Sequence, residues 1–428
     1  MIQNHPLDLH PNSFRSLLMF VLALANYALM YGANILLARS LTVNDFDDYS
    51  VALSIVTMLS TLATLGLEKY ALRAVALFRD REDWPKFHGF WLFSLRTISG
   101  FSLILVALLS FALEAILAIH HADYHIAIVI YAGFLPIIAI TLFLVEVIAA
   151  HGAHLLSMAI YRLFLPLVYV LLIFGLSFSS LPLSALTAVL CFGFAWILTF
   201  IIIWFVTKML MPAEVKKSIP LRHGKKWLRR SLPLVFSSLM MTVMTSSGVV
   251  ILELLFHSGI EVGTYAIAAQ TGGFISLIGT STNRYYLPMM VVMIDRRDKQ
   301  SIQRLMNQRT WVVGGLVLIL LAILIFSGQK ILGLFGTHFS GGHDAAVIIA
   351  VGASISALFA DIPYYLQFMG FHRAVLTFTL LATLSMLVLG FLLGAEYGVA
   401  GMAFAYMIPV VLLFIGLRIM ALQRFSRF

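Results

Sequence analysis

The chain has 428 residues, of which 61% are hydrophobic and 11% are charged. This composition excludes an ordinary soluble globular domain, in which about a quarter of the residues carry charge. The single cysteine, Cys191, excludes an intramolecular disulfide bond and a cysteine-rich metal site. Although the chain is mainly apolar, it carries a formal net charge of +9.

Apolar segments follow one another along the chain, and each is about as long as the roughly 20 residues that an α-helix needs to cross a bilayer. We count twelve, at residues 16–38, 48–68, 89–112, 126–149, 155–177, 183–206, 232–255, 263–290, 310–327, 345–369, 374–393 and 398–419. Residues 1–10 lack the positively charged region and the short apolar core of a cleavable signal peptide. We therefore expect the first segment to remain in the protein as a transmembrane helix. We therefore predict an all-α polytopic membrane protein with twelve transmembrane helices.

Positive residues are concentrated in every second loop between these segments. They include Arg73, Arg79, Arg81 and Lys86 after segment 2, the residues from Lys208 to Arg230 after segment 6, and Arg296, Arg297, Lys299, Arg304 and Arg309 after segment 8. The alternate loops carry mainly acids, such as Asp45, Asp123 and Asp344. Because Lys and Arg in short loops stay cytoplasmic, we predict that both termini are cytoplasmic. Anionic lipid headgroups explain the basic loops, so nucleic acid is not expected as a partner.

An internal repeat divides the chain in two. Residues 32–70 recur without a gap 216 positions later as residues 248–286, with eight identities that include Tyr49/Tyr265 and Tyr70/Tyr286. Each copy opens one half of the chain, as in secondary transporters built from two similar bundles with the substrate site between them. We predict a first six-helix bundle at residues 1–206, a basic cytoplasmic linker at 207–230 and a second six-helix bundle at 231–428.

Motifs of known enzymes are mostly absent from the sequence, which has no phosphate-binding P-loop and no HExxH or GxSxG motif. The acidic sequence from Asp45 to Asp48 lies in the first outside loop, where membrane glycosyltransferases that use lipid-linked sugars place a metal-binding motif. Those enzymes normally have substantial outside loops or domains, whereas the outside loops here are short, so we favour an acidic turn. We interpret the pairs His120/His121 and His151/His154 as interfacial, since no Cys or carboxylate set completes a metal site.

The stretch from Ala33 to Arg73 resembles the opening of the polysaccharide-transporter family. The family pattern is Ala-Arg-x-Leu, then an acidic residue with Phe-Gly-x-Tyr, then a helix that ends Leu-Gly-Leu; its counterparts are residues 38–41, 45–49 and 65–67. One position departs, because Asp47 replaces the usual glycine, whereas the second copy of the repeat has Gly263 there. We expect this turn to tolerate Asp, which adopts left-handed backbone conformations more readily than most residues. Residues 370–373 and 398–403 resemble later parts of the family.

This family lies within the multidrug/oligosaccharidyl-lipid/polysaccharide flippase superfamily and includes the Wzx-type O-antigen flippases. The resemblance implies two pseudo-symmetric six-helix bundles in a MATE-like V that open alternately to the cytoplasm and to the outside. It implies an oligosaccharide linked by pyrophosphate to undecaprenyl lipid as cargo. It also implies a place in the bacterial inner membrane and a role in O-antigen, exopolysaccharide or capsule synthesis, beside glycosyltransferases and a polymerase.

Two other functions stay open at this point. One is a MATE-type multidrug or cation antiporter of the same superfamily, which would be expected to favour acids over arginines in its cavity. The other is a membrane glycosyltransferase or polymerase. We predict transport without bond chemistry and without a cofactor.

Three cationic side chains are candidates for binding the pyrophosphate, which needs cationic partners inside the membrane. Arg96 lies about seven residues into segment 3, Arg284 lies late in segment 8, and Lys69 lies at the end of segment 2. Intramembrane charges are costly and usually face a cavity or a partner, so we predict these three residues to bind substrate. The alternative for each is that it extends to the lipid headgroups.

Three acidic residues are candidates for coupling transport to an ion. Glu146 in segment 4, Asp361 in segment 10 and Glu68 beside Lys69 carry carboxyl groups in apolar surroundings. Acids at such positions form proton relays in pumps and transporters, so we predict these three as coupling residues, with a proton or sodium as the ion. The alternative is that they form structural pairs with an arginine of the cavity.

Overall fold

The computed structural model describes residues 11–120, 126–178, 182–256, 260–295 and 299–427, which form helices and turns and contain no strand. The first half contains α1 (Pro11–Ser40), α2 (Val43–Ala63), α3 (Leu67–Asp80), α4 (Trp84–His120), α5 (Ile126–Gly133), α6 (Leu135–Ala150), α7 (His154–Ala159), a π-helix (Ile160–Phe164), α8 (Leu165–Ser177) and α9 (Ala185–Leu210). A short helix, α10 (Ala213–Lys217), follows in the connection to the second half.

The second half contains α11 (Gly224–Phe256), α12 (Ile260–Gly273), α13 (Ser276–Asp295), α14 (Lys299–Gly333), a 3-10 helix (Thr337–Gly342), α15 (His343–Leu358), α16 (Ile362–Phe368) and α17 (His372–Arg427). The long helix α17 is two helices in sequence, because Gly398 interrupts it with φ 56° and ψ −131°.

Most membrane spans of the described chain consist of one long apolar helix, and the others are broken. Eight helices are long and apolar enough to cross a membrane, and the bent pairs α2–α3 and α5–α6 form up to two more spans. Gly398 divides α17 into two helices, as the segments predicted at residues 374–393 and 398–419 require, and α12 with α13 corresponds to the segment predicted at residues 263–290. The prediction of an all-α, twelve-span protein is confirmed for the described residues.

The break between α2 and α3 follows from the Leu-Gly-Leu sequence. Leu65 and Gly66 have φ angles of 51° and 70°, and the two helices are bent by 40°. Glycine adopts this left-handed conformation without strain. A side chain at Gly66 would also collide with α11, since its Cβ would lie 2.4 Å from Ser231 O. The glycine therefore both ends α2 and lets α11 approach.

The helices form two bundles that meet along α2 and α11. In the first bundle, α6 packs against α3, α4 and α9, and in the second, α15 packs against α12, α14 and α17. Between the bundles, α11 lies against α2 and α3, and α12 lies against α2. We call the end of the bundles that carries the basic connections the basic end, and the opposite end the acidic end.

The basic loops are shorter than predicted, because helices continue into them. Arg73 and Arg79 lie on α3, and Arg304 and Arg309 lie on α14. One side of α3 is buried, with Ala71, Ala74, Val75 and Phe78. The other side of such an amphipathic helix carries polar residues, so the apolar segment ends in the sequence while the chain is still helical. The prediction is least accurate for Arg309, which was placed in a basic loop but lies on α14 and is only 1% exposed.

The connection between the bundles packs on the first bundle. Leu221 N donates a hydrogen bond to Pro85 O at 3.0 Å. Gly89 permits this approach, since a Cβ at that position would lie 1.9 Å from Leu221 O. The predicted linker at residues 207–230 thus includes the end of α9 and the start of α11, and the division of the chain at its two limits stays a prediction.

Candidate functional site

At the acidic end, the two bundles meet through equivalent positions of the repeat. Asp47 Oδ1 accepts a hydrogen bond from Gly263 N at 2.7 Å, across 216 positions of sequence. Asp47 is 1% exposed and lies within the helix α2, so the expected left-handed turn at Asp47 is wrong. A Cβ at position 263 would lie 2.5 Å from Asp47 Oδ1. The carboxylate in one copy and the glycine in the other therefore form one contact.

Polar contacts between α1 and α12 also join the two bundles at the acidic end. Asn34 Nδ2 donates to Gln270 Oε1 at 2.8 Å, and the hydroxyl oxygens of Tyr31 and Thr271 are 3.0 Å apart. Each of these four side chains thus finds a partner in the opposite bundle, as buried polar groups require. We call the six residues of these contacts the acidic-end seam: Tyr31, Asn34, Asp47, Gly263, Gln270 and Thr271.

The acidic motif at the start of α2 provides hydrogen-bond acceptors for helix N-termini. Asp45 Oδ1 accepts from Ala185 N, at the start of α9, at 3.0 Å, and Asp45 Oδ2 accepts from Thr42 Oγ1 at 2.7 Å. Carboxylates are stabilising at helix N-termini, where backbone N–H groups lack partners within the helix. These contacts support a structural role for the motif.

An apolar cavity of about 300 Å³ lies beside the seam, between α1 of the first bundle and α14 and the end of α12 of the second. Its lining includes Leu24, Tyr31, Phe274, Ile323 and Leu324. Ile323 is 48% exposed and Leu24 is 41% exposed. The cavity thus has an apolar rim at the depth of the membrane spans and suits a hydrocarbon chain.

A cluster of ionisable side chains lies in the first bundle, between α3, α6 and the π-helix. We call it the first-half cluster, and its members are Glu68, Lys69, Glu146, Tyr161 and Arg162. Lys69 Nζ lies 3.7 Å from Glu146 Oε1, and these two side chains are 52% and 19% exposed. Glu68 interacts electrostatically with both of them, and Tyr161 interacts with Lys69, Glu146 and Arg162. Two cations and two carboxylates therefore share one region of the bundle.

The π-helix in this cluster has a local cause in Pro166. Proline has no N–H to donate to the carbonyl four residues earlier, which here belongs to Arg162. The preceding turn widens, and Leu165 N–H bonds to Ile160 O, five residues back. Such π-turns occur often at functional sites. Arg162 Nε is buried and has no hydrogen-bond partner among the described residues.

Lys69 lies near the border between the two bundles. Three residues before it, Gly66 contacts the backbone of α11 at Ser231. One residue after it, Tyr70 Oη accepts a hydrogen bond from Arg230 Nη1 at 3.4 Å. Since the chain runs from the acidic end towards the basic end along α2 and α3, the first-half cluster lies on the basic side of the acidic-end seam.

The second bundle contains a buried ion pair at the break between α15 and α16. Arg309 Nη1 lies 2.8 Å from Asp361 Oδ1, and the two side chains are 1% and 4% exposed. Arg309 also donates to Leu358 O at 2.7 Å and to Ala357 O at 3.1 Å. The guanidinium thus neutralises Asp361 and supplies partners for carbonyl groups at the end of α15, which a helix end leaves unsatisfied.

Arg96 lies apart from the contacts described above. Arg96 is exposed on α4, seven residues before Leu103, which is 60% exposed and shares its helix face. Arg284 lies on α13, and its side chain is outside the described part of the structure. The assignments of Arg96, Arg284 and Lys69 to substrate, and of Glu146, Asp361 and Glu68 to ion coupling, stay predictions.

Sequence reasoning missed Arg309 and Arg162 as members of polar clusters. Arg309 stands at the edge of an apolar segment, where a basic residue is usually a topology signal. The signal that could have identified it was Asp361, an acid within a span that needs a cationic partner. Arg162 lies early in the segment predicted at residues 155–177, where a cationic side chain can reach the lipid headgroups without a protein partner.

A model of the family described as polysaccharide biosynthesis protein matches residues 15–293 of the chain. No curated protein matches. Among solved structures, the inward-facing conformation of a multidrug resistance MATE family transporter of the MOP superfamily aligns with a TM-score of 0.78 at 13% identity, and the alignment covers 96% of this chain and 98% of that one. An outward-facing conformation under the same description gives 0.63 at 15% identity, covering 97% and 95%.

The lipid II flippase MurJ, in an inward closed conformation, aligns with a TM-score of 0.71 at 14% identity, covering 96% of this chain and 89% of that one. These identities establish a shared fold. The two pseudo-symmetric bundles predicted from the sequence are thus confirmed as the architecture of the chain.

Proposed function

The chain belongs to the polysaccharide biosynthesis protein family, and we propose that it is a flippase for an undecaprenyl-pyrophosphate-linked oligosaccharide. In this proposal, the protein moves the lipid-linked glycan across the bacterial cytoplasmic membrane by alternating access. The glycan then enters a surface polysaccharide such as O-antigen, exopolysaccharide or capsule. The family match over residues 15–293 is the observation that carries the proposal.

The arrangement of the two bundles supports alternating access. The acidic-end seam joins them through Asp47 and Gly263 and through Asn34 and Gln270. The fold is also more similar to the inward-facing MATE structure, at a TM-score of 0.78, than to the outward-facing one, at 0.63. With the basic end in the cytoplasm, this is the state that receives cargo from inside.

The charges of the first-half cluster support an anionic cargo. Lys69 is 52% exposed at the border of the bundles, and Arg162 has an unused buried Nε. Cationic groups are the partners that phosphate oxygens require. The apolar cavity between α1 and α14, of about 300 Å³, adds a surface for the hydrocarbon part of a lipid. The coupling ion in the proposal is a proton or sodium, and glycosyltransferases and a polymerase are partners in the pathway.

Deletion of the gene in the bacterium that encodes the chain tests the proposal. We expect loss of a surface polysaccharide and accumulation of lipid-linked oligosaccharide, both reversed by the wild-type gene on a plasmid. Normal polysaccharide together with a new sensitivity to cationic drugs would contradict the proposal and favour a multidrug antiporter.

Reporter fusions test the proposed orientation in the membrane. A reporter that is active only outside the cytoplasm should work when it is fused after Asp48 or Glu261. It should fail after Lys225 or Arg373, since those connections carry the positive charge. Activity in the opposite pattern would reverse the assignment of the two ends.

A further inference from the structure

The apolar cavity beside the acidic-end seam is elongated along α14. Its lining on this helix runs from Leu320 to Ile331, which is about 16 Å at a rise of 1.5 Å per residue. Ile331 lies two residues before the end of α14 at Gly333. We call this cavity the α1–α14 slot. With the acidic end outside, it extends from the outer membrane surface towards the middle of the spans, as an acyl chain of the outer leaflet does.

The slot is open to the bilayer on one side. Ile323 and Leu24 at its rim are 48% and 41% exposed, whereas Leu324 and Ile275 of its wall are 5% and 2% exposed. Exposed apolar surface at this depth contacts lipid chains, which are as apolar as leucine. An empty slot would deprive its lining of dispersion contacts. A hydrocarbon chain from the surrounding lipid is therefore the occupant that the slot fits.

The hydroxyl groups of the slot lining already have partners in the protein. The hydroxyl oxygens of Tyr31 and Thr271 are 3.0 Å apart, and Tyr27 Oη donates a hydrogen bond to Gln270 O. These groups do not need a polar ligand inside the slot. The polar part of a lipid must therefore lie at the outer end of the slot.

Two exposed cations lie at this outer end, one on each of the long helices that form the slot. Lys330 on α14 is seven residues after Ile323, so it shares the helix face that forms the rim. Arg39 on α1 is eleven residues, or about three turns, after Ala28 of the slot lining, and it shares the face of Ala28. Neither cation belongs to an ion pair within the described part of the chain.

A hydrogen bond places Arg39 beside the end of α14. Arg39 Nε donates to Leu334 O at 2.6 Å, and Leu334 is four residues, about one turn, after Lys330. The two cations therefore flank the same turn of the chain. The terminal amino groups of Arg39 make no hydrogen bond to the described residues, so they remain available to phosphate oxygens.

We propose that an anionic phospholipid of the outer leaflet binds here, with one acyl chain in the α1–α14 slot and its phosphate between Arg39 and Lys330, and that it stabilises the closed seam. The proposal rests on the proposed flippase function, which sets the acidic end outside and opens the seam during transport. The lipid-linked glycan is not the ligand of this site, because with the seam closed it enters from the basic end.

The slot is sensitive to the state of the seam, because its walls belong to different bundles. The helix α1 is part of the first bundle, whereas α14 and the end of α12 are part of the second. Tyr31 and Thr271 line the slot and also form one contact of the seam. Opening of the seam moves these walls apart, so the lipid binds the closed state better. A ligand with this preference shifts the equilibrium towards closure.

Photo-crosslinking in nanodiscs tests this site. The purified full-length protein is placed in phosphatidylcholine nanodiscs with increasing small fractions of phosphatidylglycerol that carries a diazirine in the middle of one acyl chain. After irradiation, mass spectrometry of the peptides locates the adducts. We expect adducts on the buried wall, at Ile275 and Leu324, that saturate as the probe fraction rises. Adducts at Leu103, which is 60% exposed on α4, should rise in proportion to the probe.

Matched variants separate the contribution of the chain from that of the phosphate. Ala28→Trp fills the slot and should abolish the wall adducts, whereas Ala112→Trp, at an exposed alanine on α4, should keep them. Arg39→Gln and Lys330→Gln should each raise the probe fraction at half-saturation about fivefold, the effect of one cation near lipid headgroups. Lys225→Gln, at an exposed lysine of the basic end, should leave it unchanged.

A variant of the seam tests the link between the lipid and closure. Gly263→Leu, which pushes the seam apart, should reduce the wall adducts several-fold in protein that elutes as folded on size-exclusion chromatography. Full labelling of the wall in this variant would overturn the proposed stabilisation of the seam.

Three other results would overturn the lipid site: wall adducts that Ala28→Trp leaves unchanged, half-saturation that neither Arg39→Gln nor Lys330→Gln alters, or displacement of the probe by undecaprenyl phosphate more readily than by unlabelled phosphatidylglycerol. The last result would assign the slot to the lipid of the cargo. The flippase function is tested separately, by movement of the lipid-linked glycan. Glycan movement without saturable wall adducts removes only this site, and saturable wall adducts without glycan movement remove only the flippase.

Discussion

Replacement of Arg309 by methionine tests whether the ion pair in the second bundle is structural. The change leaves Asp361 buried at 4% exposure with its charge uncompensated, and it removes the donors at 2.7 Å from Leu358 O and at 3.1 Å from Ala357 O. Removing one partner of a buried ion pair costs about 3–5 kcal/mol. At about 2 °C per kcal/mol for a large domain, the melting temperature should fall by roughly 6–10 °C.

The assay is heating of the detergent-solubilised protein, followed by size-exclusion chromatography of what stays folded. The double variant Arg309→Met with Asp361→Leu removes both charges and should recover much of the loss, since an apolar pair can replace a buried ion pair. Arg304→Met is the matched control, because Arg304 is an exposed arginine on the same helix. A melting temperature of Arg309→Met equal to that of the control would refute the reasoning, as would a double variant that melts below Arg309→Met.

Three further predictions concern the seam, the α2–α3 break and pH. Gly263→Leu should force the seam apart and increase labelling of an introduced Asn34→Cys by a membrane-impermeant maleimide from outside; unchanged labelling would contradict a closed seam. Gly66→Ala, at φ 70° and with its Cβ 2.4 Å from α11, should lower the melting temperature by several degrees, whereas Gly100→Ala, in open space, should not. Burial lowers the pKa of His151 below its usual 6.5. The neutral imidazole therefore stabilises the fold fully above pH 6.5, and this stabilisation is lost as the pH falls through the lowered pKa of His151. His151→Gln should therefore melt with a smaller loss on acidification than the wild type, and an equal loss would contradict this cause.

The number and order of the spans could be predicted because apolar length alone determines them. The segment predicted at residues 183–206, for example, is the helix Ala185–Leu210. The breaks within spans were harder to predict from the sequence. Leu65 and Gly66 mark the end of an apolar segment in sequence, but the continuation of the chain as α3 depends on packing against α6, which the local sequence does not contain.

The polar contacts of the candidate site depended on partners that lie far away in sequence. Asp47 was expected in a turn, because the position usually has glycine, yet its carboxylate bonds to Gly263 N, 216 positions later. Arg309 was assigned to a loop by its flanking charges, although Asp361 lies 52 positions away and was itself identified as a buried acid. In both cases the residue type was informative, but its role is set by a side chain or backbone group from another helix.

Movement of the lipid-linked glycan by the purified protein tests the central claim most directly. Proteoliposomes with undecaprenyl-pyrophosphate-linked oligosaccharide from the encoding bacterium are treated with a membrane-impermeant glycan-modifying enzyme, and the modified fraction is followed over time. We expect vesicles with the protein to expose the inner-leaflet glycan progressively, well beyond the outer-leaflet fraction, while protein-free vesicles stop at that fraction. Identical time courses with and without folded protein, under an imposed proton gradient and under an imposed sodium gradient, would contradict the claim that this chain is a flippase for a lipid-linked oligosaccharide.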